Sequence, residues 1–315
     1  MSRTITTVVP DQRTTGSTRL TTTVPSEYVH RAAVSEVFLT RWEADSADCF
    51  SVTAQWPRGH ALFVPAGGYQ DPLLLVESVR QTGALLAHAE YGVPFGHQFL
   101  MWNMSFFADP EGLAAGPTPT EVVLRAECHD IVRRGGKLAN LGYRVTVERD
   151  GLPLAVAAAA FSCTSPSVYR RLRGDRQIRS SLPVPIGIAP ETVGRAASRD
   201  VVLAAVDPRT PRRWQLRVDT AHPIFFDHPV DHVPGMVLLE SARQAAHAST
   251  GLCDAVAVGL DSSFARYAEL DAPCWIEAEP GRPDIHGRIP TTVRGTQRGA
   301  TVFTATVTLC PRRAL

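Results

Sequence analysis

The pentad Glu-Ser-x-Arg-Gln occurs twice, as Glu77-Ser78-Val79-Arg80-Gln81 and as Glu240-Ser241-Ala242-Arg243-Gln244, with the same offset of 163 between the two glutamates and the two arginines. Each copy lies in a strongly apolar segment, Leu73 to Leu86 in the first and Val237 to Ala246 in the second. At about 100° per residue, Glu77, Arg80, Gln81 and His88 share one helix face, as do Glu240, Arg243, Gln244 and His247. An ionised carboxylate on such a helix costs several kcal/mol unless it is paired, and an arginine three residues on can pair it. One reading is a buried pair that fixes helix register. The stripe holds more polar groups than one pair needs, which favours chemistry: a carboxylate with a burial-raised pKa to accept a proton, and a guanidinium to orient it or hold an anion.

The residues before the second helix, His222-Pro223-Ile224-Phe225-Phe226-Asp227-His228-Pro229-Val230-Asp231-His232-Val233-Pro234-Gly235, are rich in histidine and turn formers. Pro234-Gly235 at a helix start lets a substrate approach the first N–H groups, which with the helix dipole make an oxyanion site. The first helix begins Asp71-Pro72 instead, and Pro72 removes an N–H, so the second helix is the better expectation for chemistry. Trp56-Pro57-Arg58-Gly59-His60 precedes the first helix as the histidine-rich loop precedes the second, which makes Trp56, Arg58 and His60 candidate substrate-binding residues. His97, His222 and His247 read as structural histidines. There is no metal-ligand spacing and no dinucleotide or phosphate-loop fingerprint, so no metal and no cofactor are expected.

The elements that must carry these residues repeat in order. Residues 1–27, rich in Thr, Arg and Ser without apolar periodicity, read as a mobile tail with no signal peptide. Strand-like runs follow at Ala33–Trp42 and Cys49–Trp56, then a helix from an Asp71 N-cap to about Glu90, then strands at 98–108, 121–133, 137–148 and 152–164. Asp150-Gly151 between the last two is type I′ hairpin chemistry. A proline-bearing connector, 166–198, contains Arg170, Arg171, Arg173, Arg176 and Arg179; it reads as a solvated crossover, with docking of an acidic partner as the alternative. The second half has strand-like runs at 201–206 and 213–218, a helix at 234–250, and strands at 255–267, 273–279, 284–294 and 301–309. One long helix per half followed by antiparallel strands is the pattern of a sheet wrapped around a buried helix, the hotdog architecture. The expected class is therefore α+β, a tandem hotdog: domain 1 over 28–165, domain 2 over 199–315, with sheets joined edge to edge as a pseudo-dimer or in a homodimer.

Global composition narrows the function further. The 315 residues carry 32 basic and 31 acidic side chains, a net charge of +1, which gives no general pull toward nucleic acid or a membrane surface. The six cysteines are widely spaced and read as reduced thiols of a cytoplasmic protein. The longest apolar run, Leu152 to Phe161, is about half of the roughly 20 residues a membrane span needs.

Phe225-Phe226-x-His228-Pro229 followed by Pro234 to Glu240 resembles the signature of hotdog 3-hydroxyacyl-carrier-protein dehydratases, with either His228 or His232 in the place of the loop histidine. A closer resemblance spans most of the chain. Val29 to Leu39, Gln55 to His60, Asp71 to Gln81, Tyr91 to Phe99 and Asp227 to Gln244 together resemble the A-factor synthase family. That resemblance implies two hotdog repeats and transfer of a 3-oxoacyl group, from acyl carrier protein or coenzyme A, to the hydroxyl of dihydroxyacetone phosphate on the way to a butenolide or furan signal. It implies catalytic roles for Glu77, Glu240 and Arg243, with His228 or His232, and substrate contacts from Arg80, Gly235 and Gln244. A hotdog dehydratase or thioesterase, and a non-catalytic acyl-binding module, are the competing functions.

Overall fold

The structure, a computed structural model, describes residues 22–174, 182–204, 209–252 and 254–312. In chain order the elements are β1 (Leu39–Ser46), β2 (Cys49–Trp56), α1 (Pro72–Ala89), β3 (Gln98–Ala108), β4 (Thr120–Arg134), β5 (Lys137–Arg149) and β6 (Leu152–Thr164). There follow α2 (Pro166–Arg173), β7 (Arg213–Gln215), α3 (Gly235–Thr250), β8 (Ala255–Phe264), β9 (Cys274–Pro280), β10 (Ile289–Gln297) and β11 (Ala300–Pro311). The strands make one sheet in the order β1-β2-β4-β5-β6-β3-β8-β11-β10-β9-β7. The halves meet where β3 pairs antiparallel with β8, Asn103 opposite Ser263 and Phe107 opposite Gly259. This is the α+β tandem hotdog that the helix-then-strands pattern implies, and the joint buries an edge of each half.

Each half wraps its sheet around its own long helix. On α1 only Arg80 and Ala89 escape full burial, because a helix apolar nearly all round has no face to give to water. Asp71 caps it, its carboxylate accepting from the Leu73 N–H at 2.9 Å. Trp56 lies 1 % exposed against the helix and donates to the Ser78 hydroxyl at 2.9 Å. Gly83 is required where the Tyr143 ring crosses: a Cβ there would lie 2.5 Å from the ring. α3 has no side-chain N-cap and ends on Gly251 in the left-handed conformation. The β5–β6 hairpin turns through Asp150 and Gly151 at φ of 53° and 78°, the geometry that Asp-Gly favours.

Several expectations differ from what forms. Residues 33–38 are not strand: Val34–Glu36 is a 3-10 turn, and β1 starts at Leu39. The segment 22–27 is not a loose tail, since Val24 is buried and its N–H bonds the Leu39 carbonyl; residues 1–21 lie outside the described residues. The connector is not a purely solvated crossover. It opens with α2, whose Arg173 is buried, donates to both Glu269 oxygens at 2.8 Å and lies over the Tyr267 ring. Arg176 and Arg179 lie outside the described residues. Residues 201–204 make only isolated bridges, and β7 is three residues long, so among the described residues the second half shows no counterpart of the full β1–β2 hairpin; 205 and 206 lie outside them. Five described cysteines are free thiols.

Candidate active site at the seam of the repeats

Glu77 is wholly buried on α1, and two arginines and a glutamine converge on its carboxylate. Arg80 donates to both oxygens, at 2.8 and 2.7 Å, Arg31 donates at 2.9 and 2.8 Å, and Gln81 at 2.7 Å. Gln81 in turn reaches the Glu36 carbonyl and accepts from the Phe38 N–H, tying α1 to the segment before β1. Burial alone would raise the Glu77 pKa; the two guanidinium groups outweigh it and hold it down at about 2. The expectation of a burial-raised carboxyl pKa is not met; four of these contacts fall on Oε1 and one, from Arg80 Nε, on Oε2.

Beside this cluster lies a cavity of about 220 Å³. One part of its wall is polar: His30, Arg31, Arg80, Asp227, His228 and the Gly235 end of α3. The other is apolar, with Phe99, Met101, Met104, Phe161, Leu239 and Phe264 among its residues. Both repeats build it, because Arg31 crosses to the Ile224 carbonyl at 3.2 Å and Asp227 accepts from the Ala32 N–H at 2.9 Å. Arg80 uses Nε and Nη2 on Glu77 and on the Val29 carbonyl; its Nη1 has no hydrogen-bond partner among the described residues. That leaves one cationic donor available to an anion in the cavity. The first-turn N–H groups of α3 lack a side-chain cap and carry the positive end of the helix dipole.

His228 is half-exposed in this wall, its Nδ1 2.6 Å from Asp227, which fixes the ring. Asp227 is held down at about 2: burial would raise it, and the His228 bond and Arg31 prevail. His232 also lines the cavity, packed edge-on against Tyr267 with its Nδ1 2.7 Å from Asp231.

The second cluster repeats the first in its bonds but not in its surroundings. Glu240 receives Arg195 at 2.7 and 2.8 Å, Arg243 at 2.9 and 2.7 Å and Gln244 at 2.5 Å, and Gln244 bonds the Asp200 carbonyl. Burial again pushes the carboxyl up, and Arg195 and Arg243 carry it far below the usual carboxylate range. Arg195 then spans to the Leu62 carbonyl at 2.8 Å and to Asp71 at 2.7 Å. That bridge fills the space facing the start of α1, whose N-terminus Asp71 already caps. Glu240, Arg243 and Gln244 are not among the residues that line the cavity beside α1.

The remaining candidates divide in the same way. Gly235 is in the cavity wall; Trp56 is in the core, and Arg58 is exposed away from it. His60 is built into its loop: its Nδ1 accepts from the Leu62 and Phe63 N–H groups, and its Nε2 donates to Glu36 at 3.2 Å. His222 makes the same three bonds with Ile224, Phe225 and Asp200. His97 is in neither cluster. Sequence reasoning missed His30, Arg31 and Arg195. The signal was present, because Val29-His30-Arg31-Ala32-Ala33 and Val193-Gly194-Arg195-Ala196-Ala197 are a second internal repeat.

Fold and site together define a double-hotdog protein whose cavity lies at the seam between repeats, with one polar, partly cationic edge and one apolar wall. The chain belongs to the A-factor biosynthesis hotdog domain family, whose model matches residues 13–165 and 177–312. It is 51 % identical over 289 residues to a 2-oxo-3-(phosphooxy)propyl 3-oxoalkanoate synthase of Streptomyces virginiae, covering 91 % of this chain and 98 % of that one. It is 40 % identical over 290 residues to the protein of the same name from Streptomyces coelicolor, covering 90 % of each. Among solved structures, one described as an oleoyl thioesterase of Lactobacillus plantarum aligns with a TM-score of 0.55 at 12 % identity, over 84 % of this chain and 96 % of that one. A 12:0-ACP thioesterase from Umbellularia californica aligns at 0.50 and 8 % identity, over 83 % and 94 %. These two share the fold.

Proposed function

We propose that this protein is an acyltransferase that joins a 3-oxoacyl group, delivered as a thioester, to the hydroxyl of dihydroxyacetone phosphate in the making of a butyrolactone-type signal. The observation that carries the reading is the cavity's composition. An apolar wall for the acyl chain meets the uncapped start of α3, where N–H groups can hold the thioester oxygen as it gains charge. Next to it the unpaired Nη1 of Arg80 and the ring of His228 are placed for the phosphate. The name carried by relatives at 51 % and 40 % identity, an ester of a 3-oxoalkanoate with a phosphorylated three-carbon ketone, describes the product of that union.

In this reading Glu77 orients Arg80 and Arg31 rather than moving protons, and Gly235 keeps the helix start open. The donor is a carrier protein that docks on α2. Arg170, Arg171 and Leu172 are exposed there, and Tyr169 of the same helix donates to Asp231 beside His232 in the cavity wall. Among the described residues no helix is long and apolar enough to cross a membrane, and the reaction is assigned to the cytoplasm with its soluble substrates. The test is incubation of the purified protein with a 3-oxoacyl thioester, with and without dihydroxyacetone phosphate, following thiol release and product mass. Thiol release that depends on the phosphate sugar, with the ester as product, is expected. Release that ignores it would make the protein a thioesterase, and loss of water from a 3-hydroxyacyl thioester a dehydratase.

A further inference from the structure

His30 stands out against its twin. It adopts the left-handed conformation, φ 54°, where an ordinary residue is strained, and the equivalent position in the second repeat is Gly194 at φ 65°. A histidine held where glycine is cheaper points to a use for its ring. The neighbouring helix position is exchanged in the opposite sense: Ala84 lines the cavity in the first repeat, while the equivalent His247 packs against Gly194 in the second. The first repeat keeps an imidazole on the loop and a space beside the helix. The second fills that space from the helix side.

The protonation of the His30 ring is dictated by its partners. His88 Nδ1 lies 2.7 Å from the Val93 carbonyl, which can only accept, so His88 carries its proton on Nδ1. Its Nε2 is then an acceptor, and His30 Nε2, 2.7 Å away, must donate to it. His30 Nδ1 is left with a lone pair and has no hydrogen-bond partner among the described residues, while the residue lines the cavity beside Arg80 and His228. Burial, with Arg80 and His88, holds the ring neutral in the free protein by lowering its pKa to about 3; a phosphate anion on Arg80 cancels the guanidinium's share of that shift, so the ring is a stronger base once the acceptor is bound. The stack of His88 on Phe99 and the contact of His30 with the same ring fix the pair in place.

We propose that His30 is the catalytic base of the transfer, its Nδ1 taking the proton of the acceptor's hydroxyl, with His88 and the Val93 carbonyl as the relay that fixes its tautomer. This rests on the acyl-transfer reading above. As the hydroxyl oxygen bonds to the thioester carbon, its proton moves to Nδ1. When the C–S bond breaks, that proton passes to the departing sulfur, so one ester and one thiol are formed and His30 returns to its neutral state.

The test is His30→Gly, a backbone-compatible change because the twin position is already glycine. Ester formation is followed with a 3-oxoacyl thioester and dihydroxyacetone phosphate, alone and with added imidazole. The expected result is a kcat lower by roughly 10²–10⁴-fold, KM for dihydroxyacetone phosphate within a few-fold of wild type, an unchanged melting temperature, and partial recovery of kcat with imidazole. His30→Asn, which also tolerates this backbone conformation, is expected to lose kcat without imidazole rescue, and it carries the test if the glycine variant does not fold. A folded variant that keeps most of its kcat, or one whose loss lies in KM alone, would overturn the assignment. If wild-type protein itself forms no ester, the acyl-transfer reading falls, and the base with it.

Discussion

The two Glu-Arg-Gln clusters use the same bonds to opposite ends. Around Glu77, Arg31 and Arg80 border a cavity; around Glu240, Arg195 runs on to Asp71, and Arg243, like Arg80, keeps an Nη1 with no hydrogen-bond partner among the described residues. Three exchanges account for the difference. His30 faces Gly194, Ala84 faces His247, and the open Pro234-Gly235 start of α3 faces the Asp71-capped start of α1. A duplicated fold has two seams, and here one keeps polar groups accessible while the other converts the same groups into a buried strut.

The comparison predicts different failures on the two sides. Glu240→Ala leaves Arg243 without its buried anion and Arg195 with Asp71 alone, and about 3–5 kcal/mol of stability is expected to go with it. Chemical denaturation would show this as a lower midpoint, with activity falling alongside the folded fraction. Arg80→Met is expected to cut kcat/KM for dihydroxyacetone phosphate by about 10²–10³-fold, the scale of losing one preorganised anion donor, with a smaller change in stability than Glu240→Ala. If the two variants behaved alike, the division of labour would be wrong.

A smaller effect follows from the histidines. His30 and His247 each have a folded pKa lowered to about 3, mainly by burial, against 6.5 when unfolded. Both states are neutral above 6.5, so stability is full there. As the pH falls from 6.5 toward 3 the unfolded chain binds protons that the folded one refuses, and stability drops. His30→Gly removes one such site, so its melting temperature is expected to fall less than that of wild type between pH 7 and pH 5. An equal fall would mean that His30 is already charged in the folded protein.

Much of this was legible in the chain. The 163-residue spacing of the pentads located both helices, the i+3 and i+4 offsets placed Arg80 and Gln81, and Arg243 and Gln244, on their glutamates, and Asp-Gly fixed a hairpin. What the helices alone could not show was the second arginine of each cluster, because Arg31 and Arg195 come from loops about 45 residues upstream. Without them a buried carboxyl is expected to have a raised pKa; the two guanidinium groups on it lower the pKa instead. His30 escaped notice for a related reason, since its value lies in a tautomer set by His88, 58 residues away.

The most direct measurement is a crystal structure of the protein with dihydroxyacetone phosphate bound. The phosphate is expected in the cavity within hydrogen-bond reach of Arg80, with the hydroxyl toward His30 Nδ1. A phosphate on Arg243 or Arg195, with the first cavity empty, would contradict the assignment of chemistry to the seam beside α1.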